Sequence, residues 1–174
     1  MKKFVCILLL LISITTMYYF SSQDGKTSSK QSHIVAEIVD EIRDRVTLKD
    51  ENLIRLKDKI RDSLKGYKKD IVIRKAAHFG MYIIIGGLMM IVIYLFSKQV
   101  IFSACISFAF TFLYAVYDER RQLTIDGRAG SLQDVFIDAS GALLAISMLS
   151  CIFLFWKGTK FILRRDKEEE CIEE

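Results

Sequence analysis

The chain has 174 residues, 52% of them apolar and 26% charged, with a mean hydropathy of +0.28 and a formal net charge of +4. Residues 21–75 hold 24 of the 46 charged side chains (10 acidic, 14 basic), and the apolar residues collect in four long runs. That segregation argues against a soluble enzyme, a disordered chain or a disulfide-stapled secreted domain.

The modest, dispersed charge makes nucleic acid an unexpected partner. Three of the four cysteines (Cys6, Cys105, Cys151) lie inside apolar runs and Cys171 stands near the end, a spacing that suits neither a disulfide framework nor a metal knuckle. The absence of proline fits a preference for helix.

The first run, Phe4–Phe20, contains no charge. Its 17 residues make a helix of about 26 Å, at the short end of what crosses hydrocarbon. Lys2 and Lys3 precede it as in a signal peptide, but no A-x-A-type site follows, and Tyr18 and Tyr19 suit the interfacial end of a retained helix.

Residues 21–73 then form a charged segment in which Ile34, Val35, Ile38, Val39, Ile42 and Val46 recur at helical spacing, as do Leu53, Leu56, Ile60 and Leu64. Two short amphipathic helices are expected here. Their apolar stripes could pack on each other, lie on lipid or bind a partner. Ser21–Ser32 is the only flexible-looking stretch.

The second run is Ala76–Phe96 and the third Val100–Tyr117, separated by Ser97, Lys98 and Gln99, a loop short enough to make them antiparallel neighbours. The fourth, Val135–Trp156, carries Asp138 one turn from its start and small residues at Ala139, Ser140, Gly141, Ala142 and Ala145 that permit close helix contact. The expected fold is therefore an all-α membrane protein. It has four transmembrane helices, a short helical extracytoplasmic segment (21–73) between the first and second, a three-helix membrane region (74–156) and a cytoplasmic tail (157–174). Lys2, Lys3, Lys98, Lys157, Lys160, Arg164, Arg165 and Lys167 fall on one side, which places both termini in the cytoplasm of a multi-pass protein of the cell membrane. Arg74, Lys75, Arg120 and Arg121 pull the other way.

This topology gathers polar residues at one membrane face. Arg74, Lys75 and His78 open the second span, with Arg74, His78 and Tyr82 spaced four apart. Asp118, Glu119 and Gln122 close the third, and Asp134 and Asp138 open the fourth on one face. Ser131, three residues before Asp134, reads as an N-cap. Between them Asp126-Gly127-Arg128-Ala129-Gly130-Ser131 offers two glycines, an arginine and a helix N-terminus. It can hold an anion such as a phosphate, or it can be a tight turn whose Arg128 pairs with Glu119. His78 and Asp138 are the ionisable residues nearest membrane depth, where such groups are functional candidates, although Asp138 could simply bind Arg128 or the Tyr82 hydroxyl. A metal site needs more nitrogen ligands or a carboxylate cluster, and the other histidine, His33, lies in the charged segment, so no metal or cofactor is expected.

The blocks Lys75-x-x-His78-Phe79 followed by Tyr82, Asp118-Glu119-x-x-Gln122, and Gly127-Arg128-x-Gly130-Ser131-x-x-Asp134, followed by Asp138 and Gly141, occur in order at the helix boundaries. In this the chain resembles the VanZ-like family, as does Phe20-Ser21-Ser22-Gln23 after the first span. It departs from the family at Arg121, where histidine is frequent, at Met81, where an acid is frequent, and at Asp126, where proline is common. The resemblance implies a cell-envelope membrane protein of a family named for a member linked to resistance to the glycopeptide teicoplanin. It brings no settled reaction.

Three functions stay open. A non-enzymatic envelope protein could alter glycopeptide susceptibility by binding a lipid headgroup or lipid-linked cell-wall precursor through Lys75, Gln122, Arg128, Ser131, Asp134 and Asp138. An enzyme could act on a lipid-linked phosphate with His78 as nucleophile or base, oriented by Asp118 or Glu119. A transporter is the third, with few polar groups at the midplane to support it. The lipid bilayer is the expected partner in each case, and Gly86-Gly87 with the small residues of the fourth span would permit a homodimer.

Overall fold

A computed structural model describes residues 1–45, 69–128 and 130–173. Within them the chain forms five helices: α1 (Lys2–Ser21), α2 (Gly25–Arg45), α3 (Lys69–Ser97), α4 (Val100–Gln122) and α5 (Leu132–Glu173). The helices α1, α4 and the segments Ile71–Ser97 and Leu132–Lys160 are long and apolar enough to cross a membrane, which bears out the four spans and the all-helical class. Phe4, Ile101, Leu113, Phe136 and Phe155 stay exposed around the bundle, as lipid-facing side chains must. All four spanning helices run beyond their apolar runs, two of them by the widest margin. The α3 helix starts at Lys69, and α5 continues unbroken through the 157–173 stretch read as a tail.

The α2 helix begins where Asp24 caps it, its Oδ1 accepting the Thr27 N–H at 2.9 Å. It covers the first of the two amphipathic stripes. Ile34, Val35 and Ile38 are exposed on it, while Ser28 and Ser32 are buried. Val46 and the second stripe, Leu53–Leu64, lie outside the described residues.

The closest packing is between α3 and α5, and glycines allow it. A Cβ on Gly86 would lie 2.8 Å from the Ala142 Cα, and one on Gly141 would lie 2.5 Å from the Phe79 carbonyl oxygen. Gly87 faces Ala145 at a looser 3.6 Å. The small residues that the sequence offers for a dimer contact thus meet one another inside the chain, and the two backbones approach as small-residue seams allow. Around this seam Leu10, Met17, Tyr82, Ile85, Ala115 and Val135 form one buried cluster, and Met90, Val100 and Ile146 a second.

The α4 helix presents a small polar face instead, with Ser103, Ser107, Thr111 and Ala115 all buried. Thr111 donates to the Ser107 carbonyl at 2.8 Å, which satisfies its hydroxyl within its own helix. Only Lys98 (φ 57°) and Gln99 separate α3 from α4, so these helices are antiparallel neighbours as expected. At that end Lys157 donates to the Lys98 carbonyl at 2.6 Å, and Lys3 lies over the Phe96 ring. The last turns of α1 and α4 and the first turns of α3 and α5 therefore share the opposite end, where the polar residues converge.

Candidate functional site

At the polar end the candidate residues divide into two groups, because neighbouring positions on a helix point about 100° apart. Asp118 and Glu119 illustrate the division. Asp118 is fully buried towards α1, accepting hydrogen bonds from the Ser21 hydroxyl (2.7 Å), the Gln122 amide (3.0 Å) and the Arg121 guanidinium (2.9 Å). Glu119 turns instead towards α3 and α5. It shares a small polar cavity with Arg74, His78, Gln122, Asp134 and Asp138, with room for about one water.

In that cavity His78 Nδ1 stands 3.5 Å from Asp138 Oδ2. Asp138 is 1% exposed, and neither of its carboxylate oxygens makes a hydrogen bond among the described residues. The Tyr82 hydroxyl, one turn below His78, also has no hydrogen-bond partner among them, so the Asp138–Tyr82 bond considered from sequence is not formed. Ligand atoms of His78, Glu119 and Asp138 all lie within 4.8 Å of one another. Three helices thus contribute one group each.

Lys75 and Asp134 form an ion pair across the α3–α5 entrance. Ser131 caps α5 as expected, its Oγ accepting the Gln133 N–H at 3.1 Å. Its own N–H donates at 2.9 Å to Glu119 Oε2, the role a capping-box acid would have filled, while Asp134 is engaged by Lys75. Gln122 ties the two groups together. Its amide nitrogen reaches Ser21 (3.1 Å), Asp118 and Glu119 (3.3 Å), and its oxygen accepts from Arg128 at 3.3 Å.

Arg128 makes no ion pair with Glu119 among the described residues. Its guanidinium closes the end of α1, donating to the carbonyls of Gln23 (3.1 Å) and Phe20 (3.2 Å). Burial, then the nearby Arg74, lowers its pKa from the ordinary arginine value, so a counter-anion at its remaining N–H groups would be favoured. The turn before it is occupied by backbone. Gly25 N–H donates to the Asp126 carbonyl at 3.1 Å, and a Cβ on Gly25 would lie 2.2 Å from the Gly127 oxygen. Gly127 itself has φ +72°, a conformation that suits glycine. Asp126, Gly127 and Arg128 are therefore the dock for the α1–α2 connection.

Two residues gain importance from the structure. Arg121 holds Asp118, lies over the Tyr18 ring at 4.0 Å, bonds the Ser22 hydroxyl and reaches the Tyr18 carbonyl at 3.2 Å. Arg74 lies between the small polar cavity and a second, larger one of about 390 Å³ bounded by α1, α2 and α3. Met17, Phe20, Val35, Ile73 and Met81 give the larger cavity apolar walls, and Arg74, His78 and Arg128 line it as well. His33, on exposed α2, lies 3.4 Å from Glu37 and takes no part. The sequence placed Arg74 on the His78 face, but only the packing of α2 reveals the cavity it borders.

The family model described as VanZ/LLP1 matches residues 4–155, a range that includes every candidate residue named above. No curated protein and no solved structure matches the chain.

Proposed function

The chain belongs to the VanZ/LLP1 family, and from that premise we propose that it binds the phosphate-bearing head of a membrane amphiphile, a phospholipid or a lipid-linked cell-wall precursor. The observation that carries this reading is the cavity of about 390 Å³, lined by apolar side chains together with Arg74, His78 and Arg128. An acyl or prenyl chain has a place among Met17, Val35 and Met81, and the three basic side chains offer partners for an anionic head. The bilayer supplies such a molecule directly to a site at helix ends. The cations Lys2, Lys3, Lys98, Lys157 and Lys160 gather at the other end, which favours a cytoplasmic location for both termini and an extracytoplasmic one for residues 21–73 and the site. A change in glycopeptide susceptibility would then follow from the precursor or headgroup held there.

The test is binding of a fluorescent phosphatidylglycerol by the full chain in detergent, across a salt series. Binding is expected to weaken with salt and to fall at least tenfold in Arg74→Ala. Arg74 makes no hydrogen bond or ion pair with other described residues, so its loss leaves the fold intact. Binding that ignores both salt and Arg74 would refute the headgroup role. Teicoplanin susceptibility of a sensitive Gram-positive host, expressing wild type or His78→Ala at matched levels, tests the cellular consequence.

One observation favours a second reading, catalysis on the same lipid phosphate. His78 lies 3.5 Å from buried Asp138 with Glu119 in the same cavity, the arrangement of a base held by a carboxylate. In this reading Asp118 acts only by positioning Gln122 and α1. Phosphate release that requires His78 and Glu119 would establish it.

A further inference from the structure

The buried carboxylates at the polar end are not equally provided with counter-charges. Asp118 has Arg121, and Asp134 has Lys75. Glu119 and Asp138 have neither lysine nor arginine within ion-pair distance among the described residues, and these two point at the same place as the His78 imidazole. Two carboxylates deprived of water in this way repel each other, and burying them is unfavourable unless a cation or proton intervenes. Asp138 makes the point most directly, because both of its oxygens are sealed from solvent without a hydrogen bond among the described residues.

We propose that His78, Glu119 and Asp138 bind a divalent first-row metal ion, of which Mn²⁺ is the type. The donor set of one imidazole and two carboxylates suits a first-row ion better than Mg²⁺ or Ca²⁺, which prefer oxygen alone, and Mn²⁺ accepts an imidazole beside carboxylates. The dimensions fit. Neighbouring ligand atoms on an ion with bonds of about 2.1 Å stand roughly 3.0–3.4 Å apart. His78 Nδ1 and Asp138 Oδ2 are already 3.5 Å apart, and all three donors lie within 4.8 Å, so side-chain movements of up to about an ångström complete the geometry. The cavity between them holds about 10 Å³, enough for one small ion or one water.

Glu119 is already oriented by the Ser131 N–H and the Gln122 amide, the outer hydrogen bonds that metal-binding carboxylates usually have. Sequence counting misses the site because its nitrogen is single and its oxygens come from different helices. A metal here would also face the larger cavity through His78, where a phosphate oxygen could complete its coordination.

The experiment is titration of the full chain in detergent, after treatment with EDTA, with Mn²⁺ alone and no lipid. Free Mn²⁺ is followed by its electron paramagnetic resonance signal. One saturable Mn²⁺ per chain is expected, weakened at least tenfold in Glu119→Gln and in Asp138→Asn, with Asp24→Asn as the unaffected control. Spin-echo modulation of wild-type-bound Mn²⁺ should show coupling to a single imidazole nitrogen, a result that does not depend on any variant folding. In Asp138→His a second nitrogen should appear and preference should move towards Zn²⁺. Absence of saturable uptake, absence of nitrogen coupling, or unchanged affinity in both folded carboxylate variants would overturn the proposal. It would leave His78 and Asp138 as a metal-free pair around a water. Because no lipid is present, this outcome is independent of the headgroup reading.

Discussion

Replacing Gly86 by alanine adds one methyl group where α3 meets α5. That carbon would stand 2.8 Å from the Ala142 Cα, 2.9 Å from its Cβ and 3.1 Å from its carbonyl oxygen. Non-bonded carbons prefer about 3.5–4.0 Å, so the helices must part locally by close to an ångström. Overpacking of this kind costs about 1–3 kcal/mol. For a chain of this size each kcal/mol is about 2–4 °C in Tm, so the variant should melt roughly 2–12 °C lower in detergent. Gly87→Ala is the matched control. Its new Cβ would meet the Ala145 Cβ at an ordinary 3.6 Å, and alanine favours helix over glycine by about 1 kcal/mol. Gly87→Ala should therefore melt at or above wild type. The assay is thermal unfolding by circular dichroism, with both variants in the same micelle. Equal melting of the two variants would refute the argument that backbone proximity, rather than glycine flexibility, sets the α3–α5 seam.

Arg121→Ala should lower stability by about 1.5–3 kcal/mol, since buried Asp118 loses its charged hydrogen-bond partner, yet leave Mn²⁺ affinity unchanged. Thermal unfolding and metal titration on the same preparation separate these outcomes. Gly25→Ala should free α2 from its dock, because its methyl cannot fit 2.2 Å from the Gly127 oxygen, and amide exchange in Gly25–Arg45 should accelerate while α3–α5 stay protected. The Asp24 carboxyl is held below its usual 3.8, chiefly by the side-chain and backbone hydrogen bonds of Thr27. A lowered folded-state pKa means that the cap contributes above 3.8 and is lost as pH falls through the lower value. A carboxyl ¹³C titration of Asp24 should accordingly have its midpoint under 3.8, and Thr27→Val should raise it.

The spans were legible because each is a long apolar run with at most one acid, a signal that survives whatever the packing. The convergence of His78, Glu119, Asp134 and Asp138 was legible too, since a three-residue loop fixes α3 and α4 as antiparallel and brings all four to one end. Asp118 shows where legibility stops. It follows the same motif as its neighbour Glu119, and only the rotation of α4 against α1 decides that one faces Ser21 and the other His78. Arg128 could not be placed from sequence for a different reason. Its main acceptors are the carbonyls of Phe20 and Gln23, and a backbone carbonyl is present at every position and marks none. The glycines of α3 and α5 looked equally suited to a second copy of the chain or to each other, and a pattern of small residues does not say which.

The docking of α2 rests on main-chain atoms, a Gly25 N–H on the Asp126 carbonyl and two glycines in contact. Such a joint does not depend on which side chains follow it on the exposed face. Provided positions 25 and 127 remain without a Cβ, substitutions at exposed positions such as Ile34 and Ile38 can accumulate without moving the helix from its seat. Those on its inner face, at Ser28, Ser32 and Val35, would reshape the wall of the large cavity while Arg74 and His78 stay where they are. The fold thus separates the part of the pocket wall that can drift from the part that carries the cations.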